Sequence, residues 1–366
     1  MAAPERIFAD DESREIWLDD TPKILMVGLP KAGKTSIIRV IFHKTSPYET
    51  FELAPNRSFT IDVQRVATNN LIRFAIGDAP SGLIPDESQE KLVYSKTSAL
   101  IVVISAQNEP YQAEIKHATE VITRAWNVNK NINFEVFIHK VDGDVFASSD
   151  GAKIDCQREI HTNLMEHLYE RGLKEPNVTF NATSIYDHTV FEAFSRVVQR
   201  LIPQIPTLEQ LLDLLVTTCR MEKAFLFDVV SKLFIATDTS SVDAHVYELC
   251  SDMIDVVIDV SCIYGSMSDS QYDAQSNCVI NLDNNILLYL REVDRFLALV
   301  CVVREEYFDR QHMLDYNINV FKDALLNVFK YPPKRPNALT PGPQTDGVFH
   351  HSTSASASSA SAAVTS

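Results

Sequence analysis

The six cysteines of this 366-residue chain, at 156, 219, 250, 262, 278 and 301, include no Cys-x-x-Cys pair. That spacing gives a zinc site no support and fits a reducing, intracellular compartment. Positive charge is scarce: 33 Lys and Arg stand against 49 Asp and Glu, a net charge of −16. A nucleic-acid binder needs a basic face for phosphate, so that class is excluded. Long apolar runs are missing, and the longest, Ala99–Ile104 and Phe296–Val303, fall far short of a bilayer. The acidic N-terminus predicts no secretory or mitochondrial leader. Ala2 excludes N-myristoylation, and the last four residues hold no cysteine to prenylate. Membrane residence, if any, is expected through a partner. No internal repeat is visible.

What is present is a globular composition long enough for two domains. The polar, acidic residues 1–21 are expected to be flexible and loosely held. Ser, Ala, Thr and Pro dominate 333–366, which predicts a disordered tail unable to bury enough apolar surface to offset chain entropy. Between the tails, strand-like stretches at 23–28, 61–67, 71–78, 99–105, 133–140 and 177–184 alternate with helix-like ones such as 34–43, 112–128, 156–172 and 189–201. Several of the strands are apolar on both faces, as in a mostly parallel sheet covered by helices, so 22–203 reads as a doubly wound α/β domain. Pro203 and Pro206 mark a boundary. Beyond it, 207–331 reads helix, two strands, helix, three strands, helix: an α+β domain with a five-stranded antiparallel sheet. Such a sheet has edges, and a second domain without a motif of its own suits assembly. The apolar segment 253–263 fits a dimer-facing helix or a plain core helix.

The chemistry is concentrated in three places. Gly28-Leu29-Pro30-Lys31-Ala32-Gly33-Lys34-Thr35-Ser36 follows an apolar strand and opens an amphipathic helix. Glycines let the backbone curl so that amides point at phosphate oxygens, Lys34 reaches the β- and γ-phosphates, and the Thr35 hydroxyl binds magnesium. His139-Lys140-Val141-Asp142 ends a buried strand. A carboxylate at Asp142 accepts two hydrogen bonds from guanine; adenine offers neither donor there, and a desolvated, unmatched Asp142 would reject ATP. The Lys140 stem can lie across the base, and Ser184 and Ile185 fall in a last loop beside it. Third, Asp78 closes the strand Ile72–Asp78, placed to hold magnesium, with Ser81 and Gly82 following. Guanosine nucleotide (GTP or GDP) and Mg2+ are the expected ligands. His188, the pair His350-His351, and the helix carboxylates Asp243, Asp252, Asp255 and Asp259 suggest no metal site and no catalytic dyad.

With these boxes in hand, the chain over roughly 22–330 closely resembles the Rag GTPases, of the RagC/RagD type. The resemblance is strongest in "NFEVFIHKVDG", "TSIYDHTVFEAFSRVVQRLIPQIPTLEQLL", "EKAFLFDVVSKLFIATD" and "YELCSDMIDVVIDVSCIYG". It implies a Ras-like P-loop G domain followed by a roadblock-like domain, and a heterodimer with a RagA/RagB-type partner joined through the roadblock-like domains. It also implies recruitment to the lysosomal or vacuolar membrane by a scaffold complex, and amino-acid signalling to the target-of-rapamycin complex. His139 stands where small GTPases usually carry Asn or Thr. Two departures bear on hydrolysis. The family's Gly-Gln after Asp-x-Pro is Ser81-Gly82 here, and Gly82 has no side chain to orient water. The family's magnesium-binding Thr aligns with Pro55, with Thr50, Ser58 and Thr60 nearby. These predict slow intrinsic hydrolysis and a leaning towards GDP. A nucleotide-binding scaffold that switches nothing, and a P-loop kinase or ATPase, remain as alternatives; Asp142 argues against the last.

Overall fold

The computed structural model describes residues 7–330 apart from 53–58, 69–71, 144–145, 147–149, 174–175, 265–276, 283, 295 and 309. Pro55, Ser58 and the expected tail 333–366 lie outside the described residues.

The first sheet is built from β1 (Lys23–Val27), β2 (Asp62–Ala67), β3 (Arg73–Asp78), β4 (Thr97–Ser105), β5 (Asn133–His139) and β6 (Val178–Thr183), in the order β2-β3-β1-β4-β5-β6. β2 runs antiparallel to β3, and the remaining pairs are parallel. β1 and β4 are apolar on alternate sides because both faces are covered. Ile24, Met26, Ile101 and Val103 face α2 (Lys34–Phe42) and α6 (Thr189–Leu201) in one core; Leu25, Val27, Leu100 and Val102 belong to the other. That second core takes residues from α3 (Glu87–Tyr94), α4 (Gln112–Val128) and α5 (Asp150–Glu170). The register aligns the strand ends: Met26 pairs with Asp78, and His139 with both Ser105 and Thr183. The loops that follow β1, β3, β5 and β6 therefore converge on one edge, where parallel α/β sheets bind ligands.

The N-terminal segment differs from expectation. Asp11–Leu18 form a helix, α1, with Asp10 accepting from the Ser13 amide at 2.6 Å. Trp17 is fully buried and donates its indole N–H to Val93 O at 3.2 Å. Phe8 forms a parallel bridge with Ile61 just before β2, with Ile61 N bonded to Ile7 O at 2.8 Å. An acidic average conceals the three apolar anchors Ile7, Phe8 and Trp17; residues 1–6 are outside the described set.

The second sheet, order β8-β7-β11-β10-β9, is antiparallel throughout: β7 (Lys223–Asp228), β8 (Phe234–Thr237), β9 (Asn277–Leu282), β10 (Ile286–Asp294) and β11 (Leu297–Arg304). Alternation along β7 splits its side chains. Phe225 and Phe227 join Tyr247 of α8 (Ala244–Tyr264), while Ala224 and Leu226 face α7 (Ile205–Cys219) and α10 (Gln311–Lys330). The short α9 (Glu305–Phe308) precedes α10. The helix expected from 207 begins at Ile205, with Pro206 inside its first turn, where a missing amide proton costs nothing. α6 touches both sheets: Ser195 Oγ accepts from Phe234 N at 3.0 Å, and Gln199 Nε2 donates to Phe234 O at 3.3 Å. One apolar core runs from Ile24 and Phe194 through Leu208 to Leu299, and both sheets lie in one compact unit.

Candidate nucleotide site

The loop after β1 curls beneath the start of α2. Lys34 is buried, and its ammonium donates to the carbonyl of Gly28 at 3.0 Å and approaches that of Leu29 at 3.5 Å. Desolvation lowers its pKa, opposed by the Asp78 charge. Leu29, Pro30 and Lys31 form the outer side of the loop, Ala32 is buried, and Ser36 is half-buried on the first turn of α2. Gly33, the residue before α2, has φ +104, and a Cβ there would lie 2.5 Å from Cδ2 of His139. Only glycine combines that backbone with that neighbour.

Thr35 Oγ1 donates to Asp78 Oδ2 at 2.5 Å. Asp78 is buried, and its Oδ1 has no hydrogen-bond partner among the described residues. Burial raises its pKa, against the opposing pulls of Thr35 and Lys34. A hydroxyl and an orphaned carboxylate oxygen are hard donors, so the pair fits a small divalent cation such as Mg2+. Among the described residues, no group of three His, Cys, Asp or Glu side chains is placed to hold a metal ion.

The base end is assembled from the turns after β5 and β6. His139 is 1% exposed, with Nδ1 3.1 Å from Thr183 Oγ1. Burial brings its pKa down to about 4, so the ring is neutral at pH 7. Lys140 adopts φ +68 and sends its ammonium to the carbonyl of Lys31 at 2.7 Å, joining the turn after β5 to the loop after β1. Asp142 Oδ1 accepts from Ser184 Oγ at 2.8 Å, and that hydroxyl in turn accepts from Tyr186 N at 3.1 Å. Ser184 and Ile185 are buried. Asp142, expected to be desolvated, is exposed, because it sits on the turn beyond the end of β5. The penalty for an unmatched base is therefore smaller than a buried carboxylate would impose.

Between these ends, the Asp78 turn folds against the phosphate loop. Ala79 N bonds Met26 O at 3.0 Å, Gly82 N bonds Gly28 O at 3.0 Å, and Leu83 N bonds Pro80 O at 3.1 Å. Gly82 has φ +71 and Ser81 is exposed. Thr50, weighed as an ion ligand, donates instead to Pro47 O at 2.6 Å within a 3-10 turn (Pro47–Glu52).

Some neighbours of the site carry no sequence signal. Tyr48 and Phe51 on that 3-10 turn pack on Tyr186, with centroids 5.7 and 6.3 Å apart, beside Ser184. Two aromatics three positions apart in a polar loop give no periodicity to read. His188, expected to be a plain loop residue, follows the base loop, with its ring 3.4 Å from Asp252 and 3.7 Å from Glu248 of α8.

The Gly28–Ser36 loop, the Thr35–Asp78 pair and the Asp142–Ser184 pair lie together at one edge of the six-stranded sheet, the arrangement of a P-loop α/β protein. The family model described as the Gtr1/RagA G protein conserved region matches residues 23–254. Human Ras-related GTP-binding protein C is 48% identical over 315 residues, 84% of this chain and 77% of its own. Mouse Ras-related GTP-binding protein D is 47% identical over 88% of this chain and 71% of its own. The GTP-binding protein gtr2 of Schizosaccharomyces pombe is 40% identical over 84% of this chain and 98% of its own. The chain belongs to the Gtr/Rag family of GTP-binding proteins and, within it, to the RagC/RagD type. A solved roadblock/LC7 domain from Streptomyces avermitilis aligns with 34% of this chain and 98% of its own at 16% identity and a TM-score of 0.27, too slight a likeness to bear on function.

Proposed function

We propose that this chain is the guanine-nucleotide-binding regulatory subunit of a heterodimeric Rag GTPase that signals amino-acid sufficiency to the target-of-rapamycin complex. The observation that carries the nucleotide part is the 2.7 Å bond from Lys140 to the carbonyl of Lys31. It ties the turn bearing Asp142, bonded to Ser184, to the loop that bears Lys34 and Thr35. Gly28–Ser36 would cradle the phosphates, with Lys34 against the β- and γ-oxygens. Asp142 would accept from the guanine edge, with His139, Ser184 and Ile185 shaping the pocket. Thr35 and Asp78 would hold Mg2+, which supplies positive charge against the β- and γ-phosphates when bound.

Hydrolysis is expected to be slow. GTPases gain rate by positioning water and stabilising charge, and Gly82 offers no side chain for the first task. The same feature favours a second reading, a nucleotide-binding subunit that acts as a constitutive scaffold. Single-turnover hydrolysis and matched GTP and GDP titrations separate the two. Equal affinity for both nucleotides, with no turnover, supports the scaffold. Hydrolysis at the rate of an intact small GTPase contradicts both.

The partner is a RagA/RagB-type subunit, engaged through 207–331. In support, β9 is an edge strand, and α8 carries exposed Val256, Val260 and Ile263. No helix among the described residues is long and apolar enough to cross a membrane, so residence at the lysosome or vacuole would come through a scaffold complex. Purifying the full chain with and without its partner subunit, then identifying the nucleotide it carries, tests the whole reading. A chain that carries no guanosine nucleotide and forms no heterodimer overturns it.

A further inference from the structure

Trp17, on α1, lies outside every nucleotide-binding box yet bears on the frame that carries them. Its ring is fully buried between β3 and α3. A Cβ built on Gly77 would lie 2.9 Å from Trp17 Cζ3 and 3.0 Å from Ile61 Cγ2, so the indole and the Ile61 side chain both press on the bare backbone of β3. Gly77 is the residue before Asp78, and the two pair with Val63 and Asp62 of β2. The indole N–H donates to Val93 O at 3.2 Å, on α3, the helix that follows the Asp78 turn. Ile61 closes the loop that leads into β2.

The strap that carries this ring is fixed on both sides of α1. Ahead of the helix, Ile61 N donates to Ile7 O at 2.8 Å and Ala9 N to Ile61 O at 3.1 Å, and the Phe8 ring centroid lies 6.0 Å from that of Trp17. Behind it, Asp19 accepts from Arg65 of β2 at 2.7 Å and from Lys23 of β1. The indole thus ties the end of β3 to α3, with Ile61 held beside it. Two loops issue from that point: one ends at Ile61, the other begins after Asp78. Asp78 has the Thr35 hydroxyl as its bond within the site, and its Oδ1 has no partner among the described residues. Where that oxygen stands is set largely by β3, and behind β3 at this level stands Trp17.

We propose that Trp17 is a positioning residue for the divalent ion: its ring backs Gly77 and so holds the Asp78 carboxylate where, with Thr35, it meets the ion. The proposal rests on the guanine-nucleotide and Mg2+ reading and adds to it a residue from a segment outside the nucleotide-binding boxes.

Removing the ring lets β3 relax into the space it leaves. Loss of an outer support of a metal ligand costs about 10–100-fold in ion affinity, and the low end is expected because Asp78 keeps its bond to Thr35. The test titrates GDP against full-length wild type, Trp17→Ala and Trp17→Phe, once with Mg2+ and once with EDTA. Trp17→Ala is expected to weaken GDP about tenfold in Mg2+ and less than about twofold in EDTA. Phenylalanine keeps a ring against Gly77, so Trp17→Phe restores most of the affinity in Mg2+. A merely structural role weakens GDP alike in both media. Equal losses, no loss, or a phenylalanine variant no better than alanine each overturn the proposal and leave the nucleotide reading standing. Should the alanine variant fail to fold, Trp17→Leu, which fills more of the same space without a ring, replaces it in the same comparison. If wild type binds GDP with no gain from Mg2+, the ion reading falls and this proposal with it. If wild type binds no GDP in either medium, the guanine-nucleotide reading falls as well.

Discussion

The contact between Gly33 and His139 gives the sharpest quantitative test of how the site is built. Alanine at 33 would place a Cβ 2.5 Å from the His139 ring, and an ordinary contact of 3.4 Å requires a shift of 3.4 − 2.5 = 0.9 Å. The ring has little room, being 1% exposed with Thr183 beside Nδ1. Two costs follow from Gly33→Ala. Holding an L-residue at φ +104 costs about 1–3 kcal/mol, and overpacking costs about another 1–3 kcal/mol. The loop absorbs the sum by losing stability or by deforming and releasing nucleotide. His139→Ala in the same chain removes the second cost and leaves the first. Urea unfolding and GDP titration of wild type, both single variants and the double variant close the cycle. The double variant is expected to be about 1–3 kcal/mol less impaired than the sum of the singles. Additivity within about 0.5 kcal/mol would show that the ring does not brace the phosphate loop.

Three further outcomes follow from the same geometry. Trp17→Ala should destabilise the fold by about 3–5 kcal/mol, the usual cost of deleting a buried large aromatic, and expose Ile61 to hydrogen exchange; an unchanged melting temperature would mean that α1 is not docked. Glu135 on β5 has its pKa raised from 4.5 to about 7 because burial outweighs the pull of Arg200 and Asn181. A raised carboxyl makes the folded state bind more protons than the unfolded one between those values, so stability is fully present below about pH 4.5 and declines until about pH 7. Glu135→Gln should flatten that decline, and parallel stability–pH curves would refute it. Gly82→Gln should not restore fast hydrolysis, because φ +71 strains any side chain by about 1–2 kcal/mol; a single-turnover rate like that of an intact small GTPase would contradict this.

Legibility in the sequence followed physical cause. β1, β4 and β5 were readable because burial on both faces leaves unbroken apolar runs, and the phosphate loop because its backbone demands glycine at fixed places. The 207–331 pattern of helices and antiparallel strands was readable from its alternation. α1 was hidden because three anchoring residues are diluted by acidic neighbours. α3 was not foreseen, since its one buried turn, Val93-Tyr94, is too short to show a period. The exposure of Asp142 depends on how far the turn projects beyond β5, which local sequence does not encode.

The central claim is that a carboxylate at 142 reads guanine while the loop at 28–36 grips its phosphates. Asparagine at 142 would keep one acceptor and add a donor, which suits xanthine, with its carbonyl at C2, better than guanine, with its amine. Titrating GDP and xanthosine diphosphate against wild type and Asp142→Asn measures this directly. The account predicts tight GDP binding by wild type and a reversed preference in the variant. A variant that binds GDP as well as wild type does, with no gain for the xanthine nucleotide, would contradict it.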